Sequence, residues 1–336
     1  MDRSQTPTEA KPRHVVDDRM MLASVAKALF DSAASAPVRA GRFVIDDRIG
    51  AGGMGTVYRA HDPDLDRRVA LKVLLQDSHL DGRMMERLQR EAVALARLNH
   101  PNVVTVYEIG TAEHELFIAM EYVEGCDLKA WAEAHPVGPR PRLQQALKLL
   151  RSAGRGLAAA HRAGLVHRDF KPSNVLIGDD GRVRVADFGL VRDGDEAPSH
   201  EPSAEVPSEP SDLTQTGTTL GTPRYMSPEQ QRGATVDARS DQFSFCVAAW
   251  IVLFGEPPWP GPVPMPSVQP PRAPASAPGW IVDVLRRGLH EDPELRYPSM
   301  APLIAALGRD PRRRRIVLGL GTGVLVASSF AAAAYA

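Results

Sequence analysis

Hydrophobic and polar positions follow two regimes along this chain. From Phe43 to Val123 the apolar residues come in short runs, several of them alternating with polar ones, as half-buried strands require. FVIDDRIG and GTVYRAHD flank a glycine turn, and VALKVL, VVTVYEIG and LFIAMEYV read as three further strands. One helix interrupts them. Between Arg83 and Leu98, Leu88, Ala92 and Leu95 keep helical spacing, and Pro101 closes the segment. Gly125 breaks the strand pattern. Beyond it helices dominate: Asp127–Glu133, Leu143–Ala163, the apolar SDQFSFCVAAWIVLFGEPPW led by Ser240 and Asp241, and a final pair ending at Leu307. The pattern predicts an α+β chain with a β-rich first lobe and a mainly helical second.

Polar residues that break these runs carry the chemistry. Lys72 sits inside an apolar strand, where desolvating an amine is costly unless a partner waits for it. The bland alternative places it on the strand's solvent face. Gly50, Gly52, Gly53 and Gly55 allow a backbone to approach an anion closely, although hairpin turns use glycine too. His167–Asn174, HRDFKPSN, is a polar turn between two apolar runs that read as short strands, Gly164–Val166 and Val175–Ile177. It brings together Asp169, Lys171 and Asn174, and a second acid, Asp187, follows in DFG.

Composition narrows the picture. The 336 residues carry a formal net charge of −1 and 43% hydrophobic residues, enough for a two-lobed core and without a charge argument for nucleic acid. Cys126 and Cys246 lack metal-ligand spacing and read as free buried thiols of a reducing compartment. Residues 1–20 are charged and lack the apolar run of a secretory leader. Residues 1–40 read as a flexible lead with one amphipathic stretch, Met20–Phe30. Residues 316–336 hold no charge and follow Arg312–Arg315. At ~1.5 Å per residue this run is ~30 Å long and predicts a transmembrane helix after a cytoplasmic domain. The other reading is an apolar helix packed on the soluble domain. Gly319 and Gly323 form a G-x-x-x-G pair that suits a homodimer.

The order glycine loop, strand lysine, HRD-x-K-x-x-N, DFG and GTPRYMSPE resembles that of Hanks-type serine/threonine protein kinases of bacterial style. The resemblance covers 43–307, with an N-lobe at 43–124, a C-lobe at 125–307, a basic juxtamembrane piece at 308–315 and the membrane helix at 316–336. It implies the bilobal kinase fold, ATP and Mg²⁺ (or Mn²⁺) as cofactors, protein Ser/Thr hydroxyls as substrates, and a single-pass place in the inner membrane. The ATP site would comprise Ile49, Gly50, Ala51, Gly52, Gly53, Met54, Gly55, Thr56, Val57 and Lys72, with Glu121 to Val123 on the adenine edge and Met120 behind it. Glu91 would orient Lys72, Asn174 and Asp187 would bind metal, and Asp169 and Lys171 would address the hydroxyl and the γ-phosphate. Glu229 and Arg296 would form a structural ion pair.

The resemblance also implies control. A phosphate on Thr214, Thr216 or Thr218 could pair with Arg168; the bland alternative leaves these threonines as loop residues. The polar run 193–212 lengthens this loop, and the Pro-rich stretch 257–278 replaces a helical docking region of the family. The competing function is a pseudokinase scaffold that binds nucleotide without chemistry. Against it, Lys72, Glu91, Asp169, Asn174 and Asp187 are all present.

Overall fold

The computed structural model describes residues 16, 37–52, 55–74, 90–112, 115–138, 140–189, 223–261, 264 and 271–309. The expected helix at 20–30, Gly53 and Met54 of the glycine loop, the threonines 214–218 and the apolar run 316–336 lie outside these residues. Among the described residues no helix is long and apolar enough to cross a membrane.

The first lobe is one antiparallel sheet of six strands. They are β1 (Arg39–Ala40), β2 (Phe43–Gly52), β3 (Gly55–Asp62), β4 (Arg67–Leu74), β5 (Val106–Ala112) and β6 (Glu115–Glu121), in the order β1-β2-β3-β4-β6-β5. Two register shifts, between Ile45 and Asp47 and between Arg48 and Gly50, bend β2 before the glycine turn. Lys72 pairs with Val57 on one side and Ile118 on the other, so the lysine lies in the middle of the sheet. Gly55 has φ +147°, and a Cβ there would meet the Val73 carbonyl at 2.2 Å, so only glycine fits. Of the expected helix 83–98, residues 90–96 are described and form α1.

The hinge leads into a three-stranded sheet, β7 (Gly125–Asp127), β8 (Val175–Gly178) and β9 (Val183–Val185), where β7 was expected to be only a boundary. Helices α2 (Leu128–Ala134), α3 (Arg140–Arg162), α4 (Pro228–Gln231), α5 (Ala238–Phe254), α6 (Gly279–Gly288) and α7 (Met300–Leu307) build the second lobe. Helix α5 is buried nearly all round, from Ser240 to Phe254, which accounts for its continuous apolar sequence. Asp237 caps its N-terminus and Gly255, at φ +83°, ends it.

Backbone bonds join the lobes. Val104 N–H donates to the Val185 carbonyl and Val185 N–H to the Asn102 carbonyl, both at 2.9 Å. Arg184, 4% exposed, reaches Glu121 at the hinge and Asp180 beyond β8, each at 2.8 Å. These contacts fix the end of β9, and so the start of the DFG turn, against the first lobe.

Candidate active site

Helix α3 delivers the chain to the catalytic turn. Gly164 takes φ +77°, and Leu165 N–H donates back to the Ala160 carbonyl at 3.0 Å. This glycine-ended cap stops the helix. The Leu165–Val166 run then enters HRD without pairing as a strand; its Leu165 N–H is the group that the helix end takes up. The strand expected after the turn is present as β8.

The turn is held from below by Asp241 of α5, which is 1% exposed. One carboxylate oxygen accepts from His167 N–H at 2.7 Å and from His161 Nε2 at 2.7 Å. The other accepts from Arg168 N–H at 2.8 Å. Burial opposes ionisation of Asp241, but the His161 contact and these N–H donors outweigh it and lower its pKa. Gln230 of α4 closes the ring by donating to the Arg168 carbonyl at 2.9 Å. His167, fully buried, is held neutral because burial disfavours its charged form.

Thus braced, the turn presents its polar groups together. Lys171 Nζ lies 2.8 Å from Asp169 Oδ2. Asn174 Nδ2 donates to the Asp169 carbonyl at 2.9 Å, which leaves its carboxamide oxygen available as a ligand. Ala186 N–H donates to the Asn174 carbonyl, at 2.9 Å, tying the residue before Asp187 to the same turn. Arg168 and Asp187 adopt left-handed backbone, φ +63° and +56°. Non-glycine residues pay for that conformation, about 1–2 kcal/mol each, so the two strained positions flank the chemistry. Lys72 Nζ reaches Asp187 Oδ1 at 2.9 Å across the lobe junction. Burial disfavours the Asp187 carboxylate, yet the charges of Lys72 and, further off, Lys171 lower its pKa overall.

A small cavity of about 20 Å³ lies behind Met120, between Lys72 and the DFG turn and lined by Leu95, Ile118 and Phe188. At the hinge, Val123 N–H has no protein partner among the described residues, a free donor for a heterocycle edge. Asp187 and Asn174 offer the hard oxygen donors that Mg²⁺ takes. Among the described residues no group of three or more His, Cys, Asp or Glu forms a self-sufficient metal site. Two protein oxygens suit an ion completed by phosphates and water.

Sequence and fold comparisons agree on one family. The protein kinase domain family matches residues 43–297. The chain belongs to the protein kinase family. The serine/threonine-protein kinase PknB of Mycobacterium leprae is 35% identical over 305 residues, covering 85% of this chain and 46% of that protein. Serine/threonine-protein kinase pkn2 of Myxococcus xanthus is 42% identical over 227 residues, 67% of this chain and 26% of that protein. This kinase chain thus spans half or less of the length of these curated relatives. The crystal structure of the PknI kinase domain of Mycobacterium tuberculosis aligns with a TM-score of 0.64 at 29% identity, over 82% of this chain and 99% of that one.

The kinase departs from two further expectations. Lys72 was expected to pair with Glu91; instead it pairs with Asp187, and Glu91 pairs with Arg168 at 3.6 Å. In this arrangement Asp187 is the carboxylate within reach of the Lys72 amine, while Glu91 is engaged by Arg168. Cys126 is exposed where a buried thiol was expected; Cys246 is buried. The Glu229–Arg296 pair is present, with Arg296 donating to both carboxylate oxygens at 2.7 and 2.8 Å. Sequence reasoning passed over Asp241, His161 and Gln230 as supports. The available signal was Asp241 itself, an acid opening an otherwise apolar buried helix, which needs partners.

Proposed function

We propose that this kinase transfers the γ-phosphate of ATP to serine and threonine hydroxyls of proteins. The convergence of Asp169, Lys171, Asn174, Asp187 and Lys72 in one cleft carries this reading. Asp169 would align the hydroxyl and accept its proton. Such alignment supplies ~7–11 kcal/mol and positioned proton transfer ~10²–10⁴-fold. Lys171 would face the γ-phosphate, Lys72 the α- and β-phosphates, and Val123 N–H with the Glu121 carbonyl the adenine edge. Asp187 and Asn174 would hold Mg²⁺, which neutralises phosphate charge when bound. Before that, Asp187 must exchange Lys72 for the ion. The homologues' names support the Ser/Thr preference. The test is radiolabelled ATP with the full chain and a generic protein substrate. Label should enter serine and threonine and fall by at least ~10²-fold in Asp169→Asn. Undiminished transfer in that variant overturns the assignment.

Anchoring and control belong to the same proposal. Residues 316–336 would cross the inner membrane after Arg312–Arg315, placing the kinase in the cytoplasm, with Gly319 and Gly323 available for homodimer contact. Autophosphorylation at Thr214, Thr216 or Thr218 would draw Arg168 toward the new phosphate. That frees Glu91 to turn to Lys72. Mass spectrometry of active protein should find phosphate on this cluster, and its absence there in active enzyme excludes the mechanism.

A further inference from the structure

The second lobe carries another cleft, of about 400 Å³, which shares no lining residue with the catalytic centre. One stripe of α3 forms its floor. Arg140, Gln144, Lys148 and Arg151 recur at three- and four-residue spacing and so share a helix face. Trp280 of α6 and Leu307 of α7 add an apolar wall. Its twelve described lining residues include three cations and no acid. The Nε–H of Arg151 is buried and has no hydrogen-bond partner among the described residues. That edge is covered by the chain at Gly308; arginine and lysine side chains gathered in one concavity offer a phosphate charge-assisted donors.

The cleft also marks where the chain leaves the lobe. Gly308 lines it, and a Cβ there would lie 2.9 Å from Arg151 Cζ. Residues 309–315, with five arginines and one aspartate, lead from this point to the uncharged run 316–336. Seven extended residues reach ~25 Å at most. We propose that this cleft binds the phosphate of an anionic phospholipid headgroup, with Trp280 toward the glycerol and acyl boundary. The inference rests on the membrane anchoring proposed above. Cations near an anionic leaflet and a tryptophan at the interface are each favoured there. A soluble phosphate would use the same cations but has no need of the apolar wall or the short tether. Occupancy turns this face of the second lobe to the bilayer.

The test uses the full chain in nanodiscs of neutral phosphatidylcholine or of the same lipid with phosphatidylglycerol. Acylation of Lys148 by an amine-reactive ester is followed by mass spectrometry, with Lys129 of α2, 67% exposed, as internal control. Lys148 should react at least about fivefold more slowly in the anionic discs, as one bound charge implies, while Lys129 changes little. Arg140→Gln/Arg151→Gln should abolish most of that protection without altering kinase activity. Equal Lys148 reactivity in both discs, or protection untouched by the double variant, overturns the site while leaving the anchor standing. Equal protection by inorganic phosphate in neutral discs assigns the cleft to a soluble anion and overturns the lipid assignment. A chain that does not enter the discs refutes the anchoring, and this inference with it.

Discussion

At the scale of the residue, Asp241 decides whether the catalytic turn has a shape. Its two oxygens serve His167, Arg168 and His161 from a site 1% exposed. Removing one side of a buried charged network costs ~3–5 kcal/mol. Asp241→Asn should therefore lower the free energy of urea unfolding at pH 7 by about that amount, and reduce transfer with it. The pH dependence has a definite sign. The folded pKa of Asp241 is lowered, so its contribution is complete above the unfolded value of ~3.9 and is lost as pH falls through the lower folded value. Wild-type stability should decline below about pH 4, and the asparagine variant should show a shallower decline over the same range. Parallel curves would remove Asp241 as the source. The chemistry at Asp169, Lys171, Asn174 and Asp187 was legible because those letters stand in one short order. Asp241 was not, because its partners lie more than seventy residues away.

Between elements, α5 and α6 meet at one close point. A Cβ on Gly288 would sit 2.3 Å from Cys246 Sγ and 3.3 Å from Leu303. The thiol fills the space that glycine leaves, and burial raises its pKa, so it acts as a small apolar group. Gly288→Ala should cost ~1–3 kcal/mol by overpacking. Cys246→Ala should recover part of that loss in the double variant, giving a coupling of at least ~0.5 kcal/mol in a double-mutant cycle. Additive losses would refute the contact. Among the described residues most strand and helix spans were readable from period, within a few residues at each end. Two details were not: the short strand β7 pairs with residues fifty positions later, and the run before HRD is apolar without being a strand. A three-residue apolar run has too few positions for its period to identify it.

Across the whole molecule, Arg296 binds the second lobe together. All five of its N–H groups are used: two reach Glu229, and the others reach the carbonyls of Arg239, His290 and Glu291. Ser240 donates to Glu229 at 2.6 Å. Arg296→Met leaves Glu229 buried without its counter-charge, at a cost of ~3–5 kcal/mol. At ~2–4 °C per kcal/mol for a domain of this size, the melting temperature should drop by roughly 10 °C in a calorimetric scan. Glu229→Gln/Arg296→Met should melt above the single variant, since it removes the orphaned charge; a lower melting point would show that the carbonyl contacts dominate.

The sequence by itself determined the two regimes of periodicity, the residues available for phosphoryl transfer, and the order that marks a protein kinase. These depend on local spacing and on residue chemistry. The tertiary structure alone decided which carboxylate Lys72 takes, where Arg168 finds its counter-charge, what braces the catalytic turn, and which cations gather where the chain leaves the second lobe. Those choices depend on distances between residues far apart in the chain. Lys72 and Asp187 are separated by 115 positions, and only packing brings two such groups within reach of each other.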